Sequence, residues 1–470
     1  MERRISVKAS PTIWTVDDDG TADFSTIQEA LNQATSGDRI FVRIGIYYEH
    51  VIINKGVSLI GENRDSTIVD GNETGSVISI RANSVSIEGF TIKRSGLLAN
   101  EYDSGIFVDH SSGNNISHNT ITNNYYGISL YSSVNNLVSE NTITNNEYGI
   151  SLYSSVNNIV SENTITDNDY GIIVFDSSTN VIFHNNFVNN DPQAYSYNSI
   201  NVWDNGKEGN YWSDYTGVDL YGGPYQNETG SDGIGDSAYI ITPPGTPIGS
   251  IQFDYYPLMG MFYHLTVTLK RETYHVTVIC NSTISEFRFE VGAETGNKII
   301  RFNVTGKDDT AGFCRVGIPT DLMDYPQIVL VSGEEIVPTL LGISNETHLY
   351  LYFTYVQNSH IIAIISSKTL HIYNQLLDKN VKLQMDLQDL NAKHYDLLSK
   401  YNILLGNYSQ FQESYNELNN SYQEHLSDYS RNVHNVRSLM YIFAASTVIF
   451  IISTIYLSKN AHASKSKALK

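Results

Sequence analysis

Residues 126–153 read YGISLYSSVNNLVSENTITNNEYGISLY: the hexapeptide YGISLY opens and closes the stretch, and its two copies begin 22 residues apart. Outward from it, Gly105-Ile106, Gly127-Ile128, Gly149-Ile150 and Gly171-Ile172 keep that step. Two asparagine columns do the same, Asn114/Asn136/Asn158/Asn180 and Asn119/Asn141/Asn163/Asn185. A fixed period of this length marks a stacked repeat in which each unit buries its apolar face against its neighbours. The unit is too short for two helices, and it is rich in Ile, Val, Ser, Thr, Asn and Tyr, which favour strands and turns. The expectation is a parallel β-helix with one coil per repeat. Along Tyr126–Tyr131, Ile128 and Leu130 share one face while Ser129 and Tyr131 share the other. The first face is inside, so Ile106, Ile128, Ile150 and Ile172 form an inner ladder. The asparagines tolerate the tight bends and hydrogen-bond from coil to coil, a structural role.

At 470 residues the chain has room for several domains, and its net charge of −21 argues against a nucleic-acid partner. Charged residues make up only 17% while tyrosine reaches 33 residues, a neutral-polar, aromatic composition suited to contact with sugars. Cys280 and Cys314 lack metal-type spacing but could pair as a disulfide. Leu439–Leu457 is a charge-free run of 19 residues, long enough to cross a bilayer, followed by Lys459, Lys465, Lys467 and Lys470. That asymmetry predicts a single-pass anchor with a cytoplasmic tail and everything upstream outside. Sequons at Asn72, Asn115, Asn227, Asn281, Asn303, Asn345, Asn407 and Asn419 all fall on the predicted outer side. Met1–Pro11 lacks the apolar core of a signal peptide, so an extracellular head implies a mis-assigned or truncated start. A tail-anchored protein with a cytoplasmic head is the alternative.

Before the repeats, Ser25-Thr26-Ile27-Gln28 reads as a capping box opening a helix whose stripe Ile27, Ala30, Leu31 and Ala34 would cover the first coil. An uncovered coil would invite edge-to-edge aggregation. The run GTADFSTIQEALNQATSGDRIFVRIGIYYEHVII followed by the repeats resembles the pectin-lyase-like superfamily, and within it the NosD-like group of carbohydrate-binding and sugar-hydrolase repeats. Asn210-Tyr211-Trp212-Ser213-Asp214-Tyr215, Asp232-Gly233-Ile234-Gly235-Asp236 and Asp254-Tyr255-Tyr256-Pro257-Leu258-Met259 resemble the closing coils of that group, notably in archaeal membrane-anchored surface proteins. The resemblance spans about residues 12–260 and implies a right-handed parallel β-helix. The fold hosts lyases, hydrolases, epimerases and non-catalytic binders alike. The NosD name further implies copper delivery, yet no Cys/Met/His cluster suited to copper stands in the sequence.

The expected organisation is a mainly β chain: a β-helix with its cap helix over 1–262, an immunoglobulin-like β-sandwich spacer over 263–367, and a coiled-coil stalk over 368–436. A transmembrane helix over 437–458 and a basic tail over 459–470 complete it. The stalk carries heptads, with Tyr401, Tyr408 and Tyr415 at one core position and Leu390, Leu397, Leu404 and Phe411 at the other. Sustained heptads call for a partner helix, hence a homo-oligomer.

Coil-to-coil columns set the candidate chemistry. His118, Glu140, Glu162 and His184 share one position, and the two carboxylates, about one strand spacing apart, repel unless protonated, cation-bound or flanked by positive charge. The histidines at the column's ends could supply that charge. A second acidic column runs through Tyr125, Glu147, Asp169 and Asp191. Glu140, Glu162, Glu147 and Asp169 are thus the candidates for a glycan-active hydrolase or epimerase, since paired carboxylates are the minimum for glycoside hydrolysis. Tyr131, Tyr153 and Phe175, and Tyr126, Tyr148 and Tyr170 at the turn, form outward aromatic columns suited to sugar C–H faces, though such ladders also stabilise β-helices without a ligand. Asp214, Asp219, Asp232 and Asp236 are a candidate Ca²⁺ site, Ca²⁺ being the one cofactor suggested. Lyases of the resembled fold use an Arg or Lys base beside Ca²⁺-binding acids; Lys93 and Arg94 are the nearest basic residues, and none occurs from Gly105 to Asn190. The sequence therefore points to a membrane-anchored extracellular protein whose head binds glycan or another surface polymer without cleaving it. The alternatives are a hydrolase or epimerase, a structural surface-layer component, and a NosD-like copper-related accessory protein.

Overall fold

The computed structural model describes residues 11–20, 22–223, 225–241, 251–324, 327–366, 368–428 and 433–467. Two compact units emerge, Met1–Ile372 and Tyr373–Lys470.

The first unit opens with the expected parallel β-helix. Three parallel sheets of eight, seven and eight strands wrap its core, and each strand pairs with its counterpart one coil on. Tyr126↔Tyr148↔Tyr170 and Ile128↔Ile150↔Ile172 are in register, so equal phases of the repeat are neighbours in space. Ile106, Ile128, Ile150 and Ile172 are fully buried, as are Ile121, Ile143 and Ile165 on another wall. Burying side chains of this size contributes about 1.5–3 kcal/mol each relative to exposure.

The asparagine columns run through the corners. Asn141 Oδ1 accepts from Asn119 N at 3.0 Å and Asn119 Nδ2 at 3.1 Å, and Asn163 repeats the arrangement on Asn141. A third ladder, unanticipated, runs Asn124, Asn146, Asn168 and Asn190. These amides satisfy backbone groups at bends where no sheet reaches them. The glycine column has a steric cause: a Cβ on Gly127 would lie 2.5 Å from the Gly149 carbonyl oxygen.

Both ends of the coil stack are closed. Helix α1 (Ile27–Gln33) buries its predicted stripe over the first coil. Its cap is shifted by one residue: Thr26 Oγ1 accepts from Glu29 N, while Glu49, from the chain beyond, accepts from Ile27 N and Gln28 N at 2.8 and 2.9 Å. At the other end Trp212 is stacked between Phe187 and Tyr239, with centroids 4.4 and 4.3 Å away. Two asparagine ladders terminate there, on Gln252 through Asn201 and on buried Asp254 through Asn210.

Strand Met261–Leu269 then begins a β-sandwich of two five-stranded antiparallel sheets, so the expected boundary at 262/263 falls inside a strand. Alternate residues of both sheets, among them Val276, Val278, Phe302, Val316 and Ile364, make its core. Its ten strands among the described residues exceed the roughly seven to nine of an immunoglobulin domain. Cys280 and Cys314 face each other on adjoining strands as buried free thiols, Sγ atoms 3.2 Å apart.

The second unit is helical: it holds α2 (Lys368–Asp428) from Tyr373 on, and α3 (Val433–Lys467). Against the expected rod, α3 lies antiparallel on α2, with Tyr408 stacked on Phe450 and both Phe411 and Tyr415 against Phe443. The heptad seam needs an apolar partner, and in this stretch the same chain provides one. Farther up, Leu376, Leu383, Leu390 and Leu397 stay exposed. Among the described residues no helix is long and apolar enough to cross a membrane. The span expected at 437–458 begins outside the residues whose side chains are described, as does the tail from 459.

Candidate functional site

The strand that enters the sandwich is laid against the coils by one amide. Asn186 accepts from Phe262 N at 2.7 Å and donates to Phe262 O at 2.8 Å, while Phe262 stacks on the His184 ring at 3.9 Å. Two residues on, His264 lands over the acidic column. Its Nδ1 lies 2.5 Å from Glu162 Oε2 and 3.4 Å from Glu140 Oε2, and His118 Nε2 lies 2.9 Å from the same Glu140 oxygen. His118, Glu140, Glu162 and His184 all adopt left-handed backbone, so all four occur at the same kind of corner.

The column expected to end in two histidines is therefore closed differently. His118 serves Glu140 as predicted, His264 takes the middle, and His184 turns to Glu208 at 2.8 Å. Contacts with His118 first, then with His264, hold the Glu140 carboxyl well below the usual carboxylate range. The contacts with Glu140 and Glu162 push His264 up to about 10, and Glu140 raises His118. A carboxyl so firmly ionised does not suit a general acid at neutral pH. Glu147 and Asp169, the other pair considered for catalysis, are exposed. Lys93 and Arg94 both pair with buried Asp70, at 3.7 and 2.8 Å.

A buried charge cluster also ties sandwich to coils. Arg315 reaches Glu208 at 2.6 Å and Asp232 at 3.3 Å, and donates to the Asp232 carbonyl. Burial pushes Glu208 up, but Arg315 and His184 together outweigh it and hold the carboxyl down to about 2.

The four aspartates expected as a Ca²⁺ site accept hydrogen bonds at turns, Asp232 from Ile234 N. Asp219 accepts from Asp232 N and Gly233 N, Asp236 from Leu220 N and Tyr221 N, and Asp214 from Tyr239 Oη. Burial pushes Asp219 up to about 6 and raises Asp232. Among the described residues, the group of acidic and histidine ligands that does come within metal-binding distance is Glu140, Glu162 and His264.

The aromatic columns form, with a break. Tyr126, Tyr148 and Tyr170 stack at 5.0 and 4.8 Å, and Tyr131 stacks on Tyr153 at 5.5 Å. Tyr102, from a short 3-10 turn, folds over this face against Phe107, Tyr126, Tyr131 and Tyr153. In such ladders the flat faces cover one another and leave edges and hydroxyls outward. Although Tyr153 and Phe175 are in register, their rings do not stack: Phe175 turns to Tyr195 and Tyr197. Tyr153 is also the most open of the six predicted ligand residues, at 36% exposure.

Of the sequons, Asn72, Asn227, Asn281, Asn345 and Asn407 are exposed. The side chains of Asn281 and Asn303 donate to Ala311 O and Glu286, Asn115 is half-buried, and the Asn419 side chain lies outside the described residues.

Comparison with known proteins bears on the coils. Residues 31–217 match the NosD family model, described as a periplasmic copper-binding protein. A cell surface glycoprotein of Methanothermus fervidus is 34% identical over 113 residues, a match that covers 22% of this chain and 18% of that relative. Similar solved structures include pectin methylesterase from carrot (14% identity, TM-score 0.27, 44% of this chain and 72% of that one). Another is pectin methylesterase PemA from Erwinia chrysanthemi (12%, TM-score 0.26, 42% and 81%).

Proposed function

We propose that this is a non-catalytic cell-surface protein whose β-helix binds a carbohydrate polymer at the break in the aromatic columns, between Tyr153 and Phe175. The observation carrying the reading is that break: Tyr153 stacks on Tyr131 and Phe175 packs tilted against Tyr195 and Tyr197, so between Tyr153 and Phe175 a sugar ring could take the place of the missing stacking partner. Beside it stands Tyr131, stacked on Tyr153, whose hydroxyl is a donor and acceptor for sugar hydroxyls. The similarity to a surface glycoprotein supports an extracytoplasmic location. A single-pass anchor at 437–458 and a homo-oligomeric α2 belong to the same reading, supported by the charge-free run 439–457 and the uncovered leucines of α2.

Affinity electrophoresis of the full chain through gels holding different polysaccharides tests it. Tyr153→Ala and Phe175→Ala should each weaken retention about tenfold, the loss of one aromatic contact. Tyr148→Ala, inside the closed ladder, should lower stability and leave retention largely intact. Equal retention by wild type, Tyr153→Ala and Phe175→Ala would remove the site.

A further inference from the structure

We propose that Glu140, Glu162 and His264 bind one divalent transition-metal ion of the zinc class where the β-sandwich meets the coils, with His118 as an available fourth donor. The donor atoms of the three residues all lie within 4.8 Å of one another. Zinc holds nitrogen and carboxylate oxygen at about 2.0–2.2 Å, so donors around one ion stand a little over 3 Å apart; His264 Nδ1 and Glu140 Oε2, at 3.4 Å, meet that spacing, while Glu162 Oε2, 2.5 Å from the same nitrogen, has to draw back to admit the ion. The arrangement is also poor as plain hydrogen bonding. His264 Nδ1 is buried close to two carboxylate oxygens, yet neither lies in line for a hydrogen bond, leaving it without a partner of proper geometry. Lone pairs converging on a common centre account for closeness without alignment.

Charge points the same way. Glu140 and Glu162 are held one coil apart by the Ser139↔Ser161 register of the preceding strand, and their side chains are about three-quarters buried. Two carboxylates that close repel unless a cation stands between them, a place open to a metal ion or, without one, to the His264 imidazolium. The mix of imidazole and carboxylate selects a borderline ion over Ca²⁺, which prefers oxygen alone, and no sulfur donor is present to select copper(I). His275, its ring 4.6 Å from that of His264, backs the imidazole from the sandwich side. The site spans two parts of the fold: the carboxylates come from coils, the histidine from the sandwich's first strand. It is separate from the aromatic face, which lies on a different sheet, so either proposal can fail alone.

The test uses the full chain stripped with chelator and titrated with Co²⁺, whose visible absorption reports nitrogen–oxygen ligation, then displaced with Zn²⁺. One ion per chain is expected, with a raised melting temperature on Zn²⁺ addition. Glu162→Gln, which keeps the side chain's size, should weaken Zn²⁺ at least tenfold, as should His264→Ala; Glu147→Gln, on the exposed column, should change nothing. If His264→Ala fails to fold, Glu162→Gln alone decides. Zn²⁺ affinity unchanged in Glu162→Gln, or Ca²⁺ bound as tightly as Zn²⁺, would overturn the site and leave a proton-bridged ion pair in its place.

Discussion

Single residues carry much of the coil stack, and asparagine shows how. Asn163 Nδ2 donates to Val138 O, Ser161 O and Asn185 Oδ1, while its Oδ1 accepts from Asn141 N and Nδ2, all buried. Removing it strands several groups at once, each costing about 1–3 kcal/mol. Asn163→Ala should therefore destabilise the chain by about 3 kcal/mol or more in denaturant unfolding, whereas Asn145→Ala, on an exposed corner, should cost only about 1 kcal/mol, the strain of alanine in left-handed backbone. Two of the three ladders were read from their 22-residue step, which the third, Asn124, Asn146, Asn168 and Asn190, keeps as well. Glu208 was missed for another reason: its partners His184 and Arg315 lie far from it in sequence, and no local pattern marks it. Its folded pKa lies below the ordinary carboxylate value of 4.5, so its contribution is present above pH 4.5 and is lost as the pH falls toward about 2. Melting temperature should drop across that window, and Glu208→Gln should flatten this part of the curve while lowering stability at neutral pH by about 3 kcal/mol, the cost of breaking a buried pair.

At the scale of elements, periodicity was the strongest guide. The 22-residue step gave the coils. Helix α1 was legible from its apolar stripe, but the glutamate that completes its cap comes from a later loop, a contact only the fold creates. Replacing Glu49 with Ala should loosen α1 first, seen as faster amide exchange at Ile27 and Gln28 with the central coils unchanged. The heptads of α2 foretold a long helix and an apolar seam; they could not say whether the seam's partner is another chain or α3. If the uncovered leucines meet a second copy, the full chain sediments as an oligomer and Leu390→Glu with Leu397→Glu lowers its mass. A monomer before and after substitution would assign the seam to α3 alone.

Across the whole molecule, the sandwich is more than the spacer the sequence suggested. It supplies His264 and Arg315 to acidic groups of the coils, and no repeat-based alignment could have found either, because both lie beyond the repeats. The acidic column was legible, but its partners were half wrong for the same reason. The carbohydrate reading depends on a feature the sequence concealed altogether. Tyr131, Tyr153 and Phe175 look equivalent in phase, and only the ring orientations reveal where the column opens. The most direct test is retention of the full chain by a polysaccharide panel, with product size followed in parallel. Retention by at least one polymer, weakened about tenfold by Tyr153→Ala and without shortening of the polymer, is the predicted result. Shortened products, or no retention by any polymer, would contradict it.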